Sequence, residues 1–320
     1  MSRIFDALQR AESERSGPDS STLPQGTDLL RHAEQRAASR WESKSSVAEV
    51  FASGNGSLHD TKQPEGGAQE RSEETRHLSP EGRSAVLDSF GDLPMSIPPD
   101  GRLVCISDRE SPTAEAVRLL AVRLRDFRRT HPLKKVLITS TIPQEGKSTI
   151  SANLACALGN TSEEKILLVE GDVRLPTLLP MFGVDRIPGL FDSLQEETGP
   201  IKNIYRLEGA GIWILPAGSV TGNPLESLQS EKLPELFNRL NEIFDWIIID
   251  SPPVLPLADT SIWMRLADGV LLVTRQGVTQ KKQLLKGIEA LEPEKLLGAI
   301  MNGTVPSAYS SYYYRTPHNL

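Results

Sequence analysis

The residues Gly146-Lys147-Ser148-Thr149 follow an apolar run, Val136-Leu137-Ile138-Thr139, and precede a stretch that reads as a helix. In that setting each residue type has a task. Backbone N–H groups of Gln144, Glu145, Gly146, Lys147, Ser148 and Thr149 would point at an anion over the helix N-terminus, where the helix dipole adds to their pull. The Lys147 ammonium would reach the outer phosphates of a nucleoside triphosphate, and the Ser148 hydroxyl suits Mg²⁺. The implied chemistry is capture of ATP and Mg²⁺. The general phosphate-loop pattern asks for glycine five residues before Gly146, and Thr141 stands there instead.

Two further apolar runs end in acids. Ile247-Ile248-Ile249 leads to Asp250, followed by Ser251-Pro252-Pro253. A carboxylate at the C-terminal end of a parallel strand faces the ligand crevice, so Asp250 is a candidate to organise the metal. Ile166-Leu167-Leu168-Val169 leads to Glu170, with Asp172 two residues on and then Val173-Arg174-Leu175-Pro176. One of these acids would act on magnesium and the other on an acceptor hydroxyl, which is general-base work. Lys147, Glu170, Asp172 and Asp250 are thus the catalytic candidates, with Ser148, Asp172 and Asp250 as metal ligands.

Elements that would position these groups alternate along the chain. Strands are expected at 136–140, 166–170, 212–216, 246–250, 269–274 and 297–302, with helices between them, notably at 147–158, 224–228, 232–241, 260–266 and 279–291. Apolar strands alternating with helices specify an α/β fold: a mostly parallel sheet with helices on both faces, built around the phosphate loop. Ahead of these, a short strand at 103–106 leads into a helix from Pro112 to Thr130. Its apolar stripe is read as Ala116, Leu119/Leu120, Val122 and Phe127, with Arg118, Arg123, Arg125, Arg128 and Arg129 on the other side.

Composition sets the first third of the chain apart. Residues 1–100 hold 11 Lys and Arg against 17 Asp and Glu, which is nearly all of the net charge of −7. No basic field argues for nucleic acid. Residues 1–14 suggest a short amphipathic docking helix (Ile4, Phe5, Leu8, Ala11). From 15 to 99 Ser, Gly, Glu, Gln and Pro dominate, which predicts a long disordered linker, dispensable for nucleotide binding. The domain proper is expected over 100–303, with a flexible tail over 304–320. Cys105 and Cys156 lack the spacing of a zinc site and read as buried thiols of a reducing compartment. Without an uninterrupted apolar run of spanning length, a cytoplasmic protein is expected.

These motifs resemble those of the bacterial tyrosine kinases of capsule and exopolysaccharide synthesis, relatives of the deviant P-loop ATPases of septum placement and plasmid partition. The family's loop resembles SxxPGEGKST, against STIPQEGKST here, with Gln144 in place of glycine. Its second acidic motif resembles DxDxRxP, with Glu170 for the first aspartate, and its DxPP is met by Asp250-Ser251-Pro252-Pro253. Asn223-Pro224-Leu225-Glu226 and Gly298-Ala299-Ile300-Met301-Asn302 agree further. The resemblance places Asn302 near the adenine. An ExxRxxR motif tied to ring-shaped self-association is matched by Glu115 and Arg118, but Ala121 replaces its last arginine. The resemblance also implies a homo-oligomer, a membrane activator of the polysaccharide co-polymerase type, and recruitment to the inner face of the plasma membrane.

Of five tyrosines, Tyr309, Tyr312, Tyr313 and Tyr314 fall in the last twelve residues, among Ser, Pro and Arg. Exposed aromatic clusters imply recognition or modification, and in this family such a cluster is the autophosphorylation site. The resulting expectation is an ATP-dependent tyrosine autokinase. Two alternatives stay open: a cargo-positioning ATPase, whose usual lysine at the start of the loop is replaced by Ser140-Thr141, and a non-enzymatic nucleotide-gated adaptor.

Overall fold

The computed structural model describes residues 79–99, 101–160, 163–195, 201–219, 222–255 and 259–304. The docking helix expected over 1–14, most of the expected linker, and the tail tyrosines Tyr309, Tyr312, Tyr313 and Tyr314 lie outside the described residues.

Six strands run parallel at the heart of the sheet: β2 (Lys135–Ser140), β3 (Ile166–Glu170), β5 (Ile212–Leu215), β6 (Trp246–Asp250), β7 (Gly269–Arg275) and β8 (Leu296–Asn302). Two short strands, β1 (Gly91–Leu93) and β4 (Tyr205–Leu207), complete the order β1-β4-β5-β3-β6-β2-β7-β8. They are parallel to each other, and β4 is antiparallel to β5, so this edge pair runs against the rest. Alternation along each strand divides the core between the two faces. Ile247 and Ile249 join Leu137, Leu167 and Val169 on one side. Trp246 and Ile248 join Val136, Ile138, Ile166 and Leu168 on the other. Both faces are covered, which is why the strands read as continuous apolar runs.

On the second face lie α3 (Pro112–Arg128) and α4 (Lys147–Gly159). Small residues let α4 sit deep: Ser151, Ala152, Ala155 and Ala157 are all buried along it. The opposite face is packed by α8 (Lys232–Ile243) and α9 (Asp259–Leu266). Shorter helices are α5 (Leu178–Met181), α6 (Leu190–Gln195) and α7 (Pro224–Gln229), and α10 (Lys281–Glu289) precedes β8.

Three expectations are corrected. First, the segment 103–106 is not a strand. Val104–Ser107 forms a one-turn helix, α2. The Ser107 N–H and hydroxyl both donate to the Leu103 carbonyl, and the Cys105 N–H donates to Asn153 Oδ1, so the backbone is satisfied without a sheet. Second, the buried stripe of α3 is Ala114, Val117, Ala121 and Leu124, while Leu119 and Val122 are 47% and 49% exposed. Leu120 and Phe127 of the expected stripe do pack half-buried against the same core, so the buried face is centred on Val117 and Ala121 rather than on Leu119 and Val122.

Third, the expected linker ends before residue 99. Pro80–Asp88 forms α1, capped by the Ser79 side chain, and β1 follows it. Arg83 donates to the Ile243 carbonyl at 2.5 Å and to Asp245 Oδ2 at 2.7 Å. Leu87 and Phe90 enter the core, where Phe90 stacks on Phe244 with centroids 6.3 Å apart. The domain therefore begins near Ser79 rather than at residue 100.

Candidate active site

The sheet topology brings the phosphate loop and the acids to one edge. β2 pairs with β6, with Ile138 opposite Asp250, and β6 pairs with β3, with Asp250 opposite Glu170. The loop leaving β2 thus emerges beside both acidic strand ends. Ser251 N–H donates to the Ile138 carbonyl, and the Thr139 hydroxyl donates to the Pro252 carbonyl at 2.7 Å, so the two strand ends are tied.

Within the loop, Gly146 has φ +93°, and a Cβ there would fall 2.1 Å from Asn302 Nδ2. Glycine is required both by conformation and by space. Gln144, standing where the family pattern has glycine, has φ +65°. That left-handed backbone is sterically costly for a residue with a Cβ. Its carbonyl accepts from Arg275 Nη1 at 3.3 Å. Glu145 is wholly buried: its carboxylate accepts from the Ile142 N–H at 2.8 Å and from the Thr279 hydroxyl. Glu145 therefore braces the loop with its side chain, leaving only its backbone free to face a phosphate. Asn302 Nδ2 donates to the Glu145 carbonyl at 2.9 Å, so its amide lies on the phosphate loop.

At the start of α4, Lys147 Nζ lies 2.8 Å from Asp172 Oδ2, 3.9 Å from Asp250 Oδ2 and 3.2 Å from Ser148 Oγ. Ser151, one helical turn after Lys147, donates to Asp250 Oδ1 at 3.1 Å. The other Asp250 oxygen, Oδ2, is buried and has no hydrogen-bond partner. Burial pushes the Asp250 carboxyl up to about 6, while Lys147 pulls it back. An orphaned carboxylate oxygen next to an ammonium and a serine hydroxyl, at the mouth of an anion-binding loop, is suited to a hard cation. Asp172 Oδ1 accepts from the Leu175 N–H at 3.2 Å.

Glu170 is placed differently from the other acids. Its carboxylate accepts the Leu178 N–H at 2.6 Å and the Ala217 N–H at 3.2 Å. Burial pushes its pKa up, and these amides pull it back. The expected role on the acceptor proton does not match this geometry: Glu170 fastens the segments after β3 and β5, and Asp172 is the acid beside Lys147.

Sequence reasoning did not find Ser151, Arg275 or Thr279. Ser151 carried a signal, since residues four apart share a helix face. Arg275 and Thr279 carried none, because they meet the loop from the end of β7 and the turn after it. Arg174 grips the buried Asp259 through Nε–Oδ2 at 2.6 Å and Nη2–Oδ1 at 3.2 Å, anchoring the acidic loop to α9. Glu115 and Arg118 pair with each other on α3 at 2.5 Å, and Ala121, at the position of the missing arginine, is buried.

No protein-family model matches the chain. Tyrosine-protein kinase YwqD of Bacillus subtilis is 34% identical over 220 residues, covering 68% of this chain and 92% of that protein. The chain belongs to the bacterial tyrosine-protein kinases. Putative tyrosine-protein kinase CapB of Staphylococcus aureus is 32% identical over 184 residues, 57% of this kinase and 80% of CapB. The match to putative tyrosine-protein kinase EpsB of Ralstonia solanacearum, 32% identical, spans 64% of this kinase but only 27% of EpsB. Among solved structures, the kinase domain of Escherichia coli tyrosine kinase ETK superposes with a TM-score of 0.60 at 27% identity, over 64% of this kinase and 81% of that chain. The chimerical protein CapA2B2 gives 0.61 at 28% identity, over 71% and 99%. The family resemblance and the α/β phosphate-loop fold expected from the sequence are borne out.

Proposed function

We propose that this kinase transfers the γ-phosphoryl group of ATP to its tail tyrosines Tyr309, Tyr312, Tyr313 and Tyr314 and serves the polymerisation or export of a polysaccharide. The observation carrying the reading is the meeting of Lys147, Asp172 and the half-satisfied Asp250 at the phosphate loop. Backbone N–H groups of residues 144–149 would hold the phosphates. Mg²⁺, which Ser148, Asp172 and Asp250 are suited to hold, would neutralise phosphate charge. On ATP binding Lys147 would exchange its ion pair with Asp172 for the transferring phosphate; Asp172 could then take the phenolic proton where Ser148 and Asp250, with its open Oδ2, carry the metal without it. The phenolic oxygen then bonds to the γ-phosphorus as the bond to the β-phosphate oxygen breaks, with the electron pair leaving on ADP. Positioning and electrostatics supply the catalysis. Asn302, on the loop, would border the base.

Family resemblance supports the remaining assignments: cytoplasmic placement, an activating membrane protein of the polysaccharide co-polymerase type, and self-association through the face of α3 bearing Glu115 and Arg118. No described helix is long and apolar enough to cross a membrane. Mass spectrometry after incubation with Mg²⁺ and ATP tests the transfer. The parent should acquire tail phosphotyrosine. Lys147→Met should lose at least about 10²-fold of the rate, the scale on which removing a transition-state charge partner acts, with an unchanged circular dichroism spectrum. Undiminished labelling of the variant would sink the assignment.

A further inference from the structure

Helix α4 carries a serine that solvent does not reach. Ser151 is wholly buried, one turn after Lys147, on the face turned to the end of β6. Its hydroxyl has one hydrogen and two acceptors within reach: the Lys147 carbonyl at 2.9 Å and Asp250 Oδ1 at 3.1 Å. The carbonyl stands four residues back, where the helix ladder already supplies an N–H. The carboxylate oxygen is charged, and charge-assisted hydrogen bonds are the stronger kind, so the hydrogen belongs on Asp250. Were it turned to the carbonyl, Oδ1 would lose this donor in a wholly buried site, which is costly. The two oxygens of Asp250 are thereby made unequal. Oδ1 is occupied by Ser151, whereas Oδ2 is buried, lacks a partner and lies 3.9 Å from Lys147 Nζ.

We infer that Ser151 is a positioning residue that sets which divalent cation the site prefers: by occupying Oδ1 it leaves Asp250 one oxygen to offer, which suits Mg²⁺ and disfavours Ca²⁺. The inference rests on the kinase reading above and concerns the cation that reading requires. Mg²⁺ demands a near-ideal octahedron of oxygens at about 2.0–2.1 Å, so neighbouring corners stand about 2.9 Å apart. The two oxygens of one carboxylate lie closer together than that and cannot both take corners without distortion. Ca²⁺ binds more oxygens, at about 2.3–2.6 Å and in a flexible arrangement, and accepts a carboxylate through both of its oxygens. A carboxylate free at both oxygens would therefore serve either ion, and one fastened at Oδ1 serves the smaller. Fastening also fixes the orientation of the Asp250 carboxylate before an ion arrives, which is how an outer hydrogen-bond partner raises the affinity of a metal ligand.

Calorimetric titration of ADP into the full chain, in EDTA, in Mg²⁺ and in Ca²⁺, tests this without any transfer step. In the parent, Mg²⁺ should tighten ADP binding more than Ca²⁺ does. In Ser151→Ala the ratio of the ADP Kd in Ca²⁺ to that in Mg²⁺ should fall by about tenfold, the lower end of what losing the outer partner of a metal ligand costs. The Kd in EDTA should equal the parent's, because the phosphate loop is untouched. Ser151→Thr keeps the hydroxyl and should keep the parent's ratio. An unchanged ratio in Ser151→Ala overturns the proposal, as does a parent that binds ADP equally well with either ion. It is overturned as well if the Kd of Ser151→Ala in EDTA weakens as much as its Kd in Mg²⁺, since that marks a distorted loop. A parent that binds ADP equally in EDTA and in Mg²⁺ overturns instead the metal site on which the kinase reading stands.

Discussion

Gln144 is held in a backbone conformation that disfavours any side chain with a Cβ, and the loop around it leaves no alternative. Its neighbour Glu145 is fixed by Ile142, Thr279 and Asn302, and its own carbonyl is held by Arg275. A left-handed non-glycine residue costs about 1–2 kcal/mol, partly offset by the smaller backbone entropy that it loses on folding compared with glycine. Gln144→Gly is expected to raise stability by about 0.5–1 kcal/mol, a rise of roughly 1–4 °C in melting temperature for a domain of this size. Differential scanning calorimetry checks this; a lower midpoint would show that the Gln144 side chain makes a compensating contact. Both cysteines, in contrast, are inert by placement, with burial raising Cys105 to about 11 and Cys156 further.

Among the elements, the strands that carry the site were legible because each is apolar on both faces, and β3 and β6 coincide with their expected bounds. Lys147, Asp172 and Asp250 were legible through their place after such strands. What escaped the sequence depends on long-range partners. The strands β1 and β4 are three residues each, too short for a period, and exist through pairing with each other and with β5. Helix α1 is fixed by Arg83 on Asp245, 162 positions away. Glu170 read as a catalytic acid because spacing reveals that a carboxylate ends a strand, not which donors await it. Removal of residues 1–101 is therefore expected to harm the domain. It strips Leu87 and Phe90 from the core and leaves Phe244 without its stacked ring. With about 1.5–3 kcal/mol per buried side chain, a chain starting at Arg102 should melt about 10 °C lower than the full protein. A chain starting at Leu78 should match it. Equal melting of all three would show that α1 and β1 merely lean on the domain.

For the whole molecule, reach does not decide whether the tail serves its own site or a neighbour's. The exposed Leu119 and Val122 beside Arg118 on α3 favour a neighbour, since apolar side chains left on such a face gain from burial in an assembly. Each tail phosphate would add about −1.5 to −2 charges, repelled by the acidic edge, so a modified tail should leave the site and loosen the assembly. Mixing Lys147→Met protein that keeps its tail with active protein whose tail tyrosines are Phe should place phosphate on the inactive chain. If that mixture stays unlabelled while the parent labels itself at a rate independent of concentration, transfer is internal. Whichever chain supplies the tyrosine, the amide of Asn302 ties strand β8 to the loop that grips ATP, and the tail departs two residues later. A coupling between nucleotide affinity and the tail's point of departure is therefore expected, and it would be reciprocal: if ATP tightens the loop it would also restrain Asn302, and a pull on the tail would weaken the grip on the phosphates.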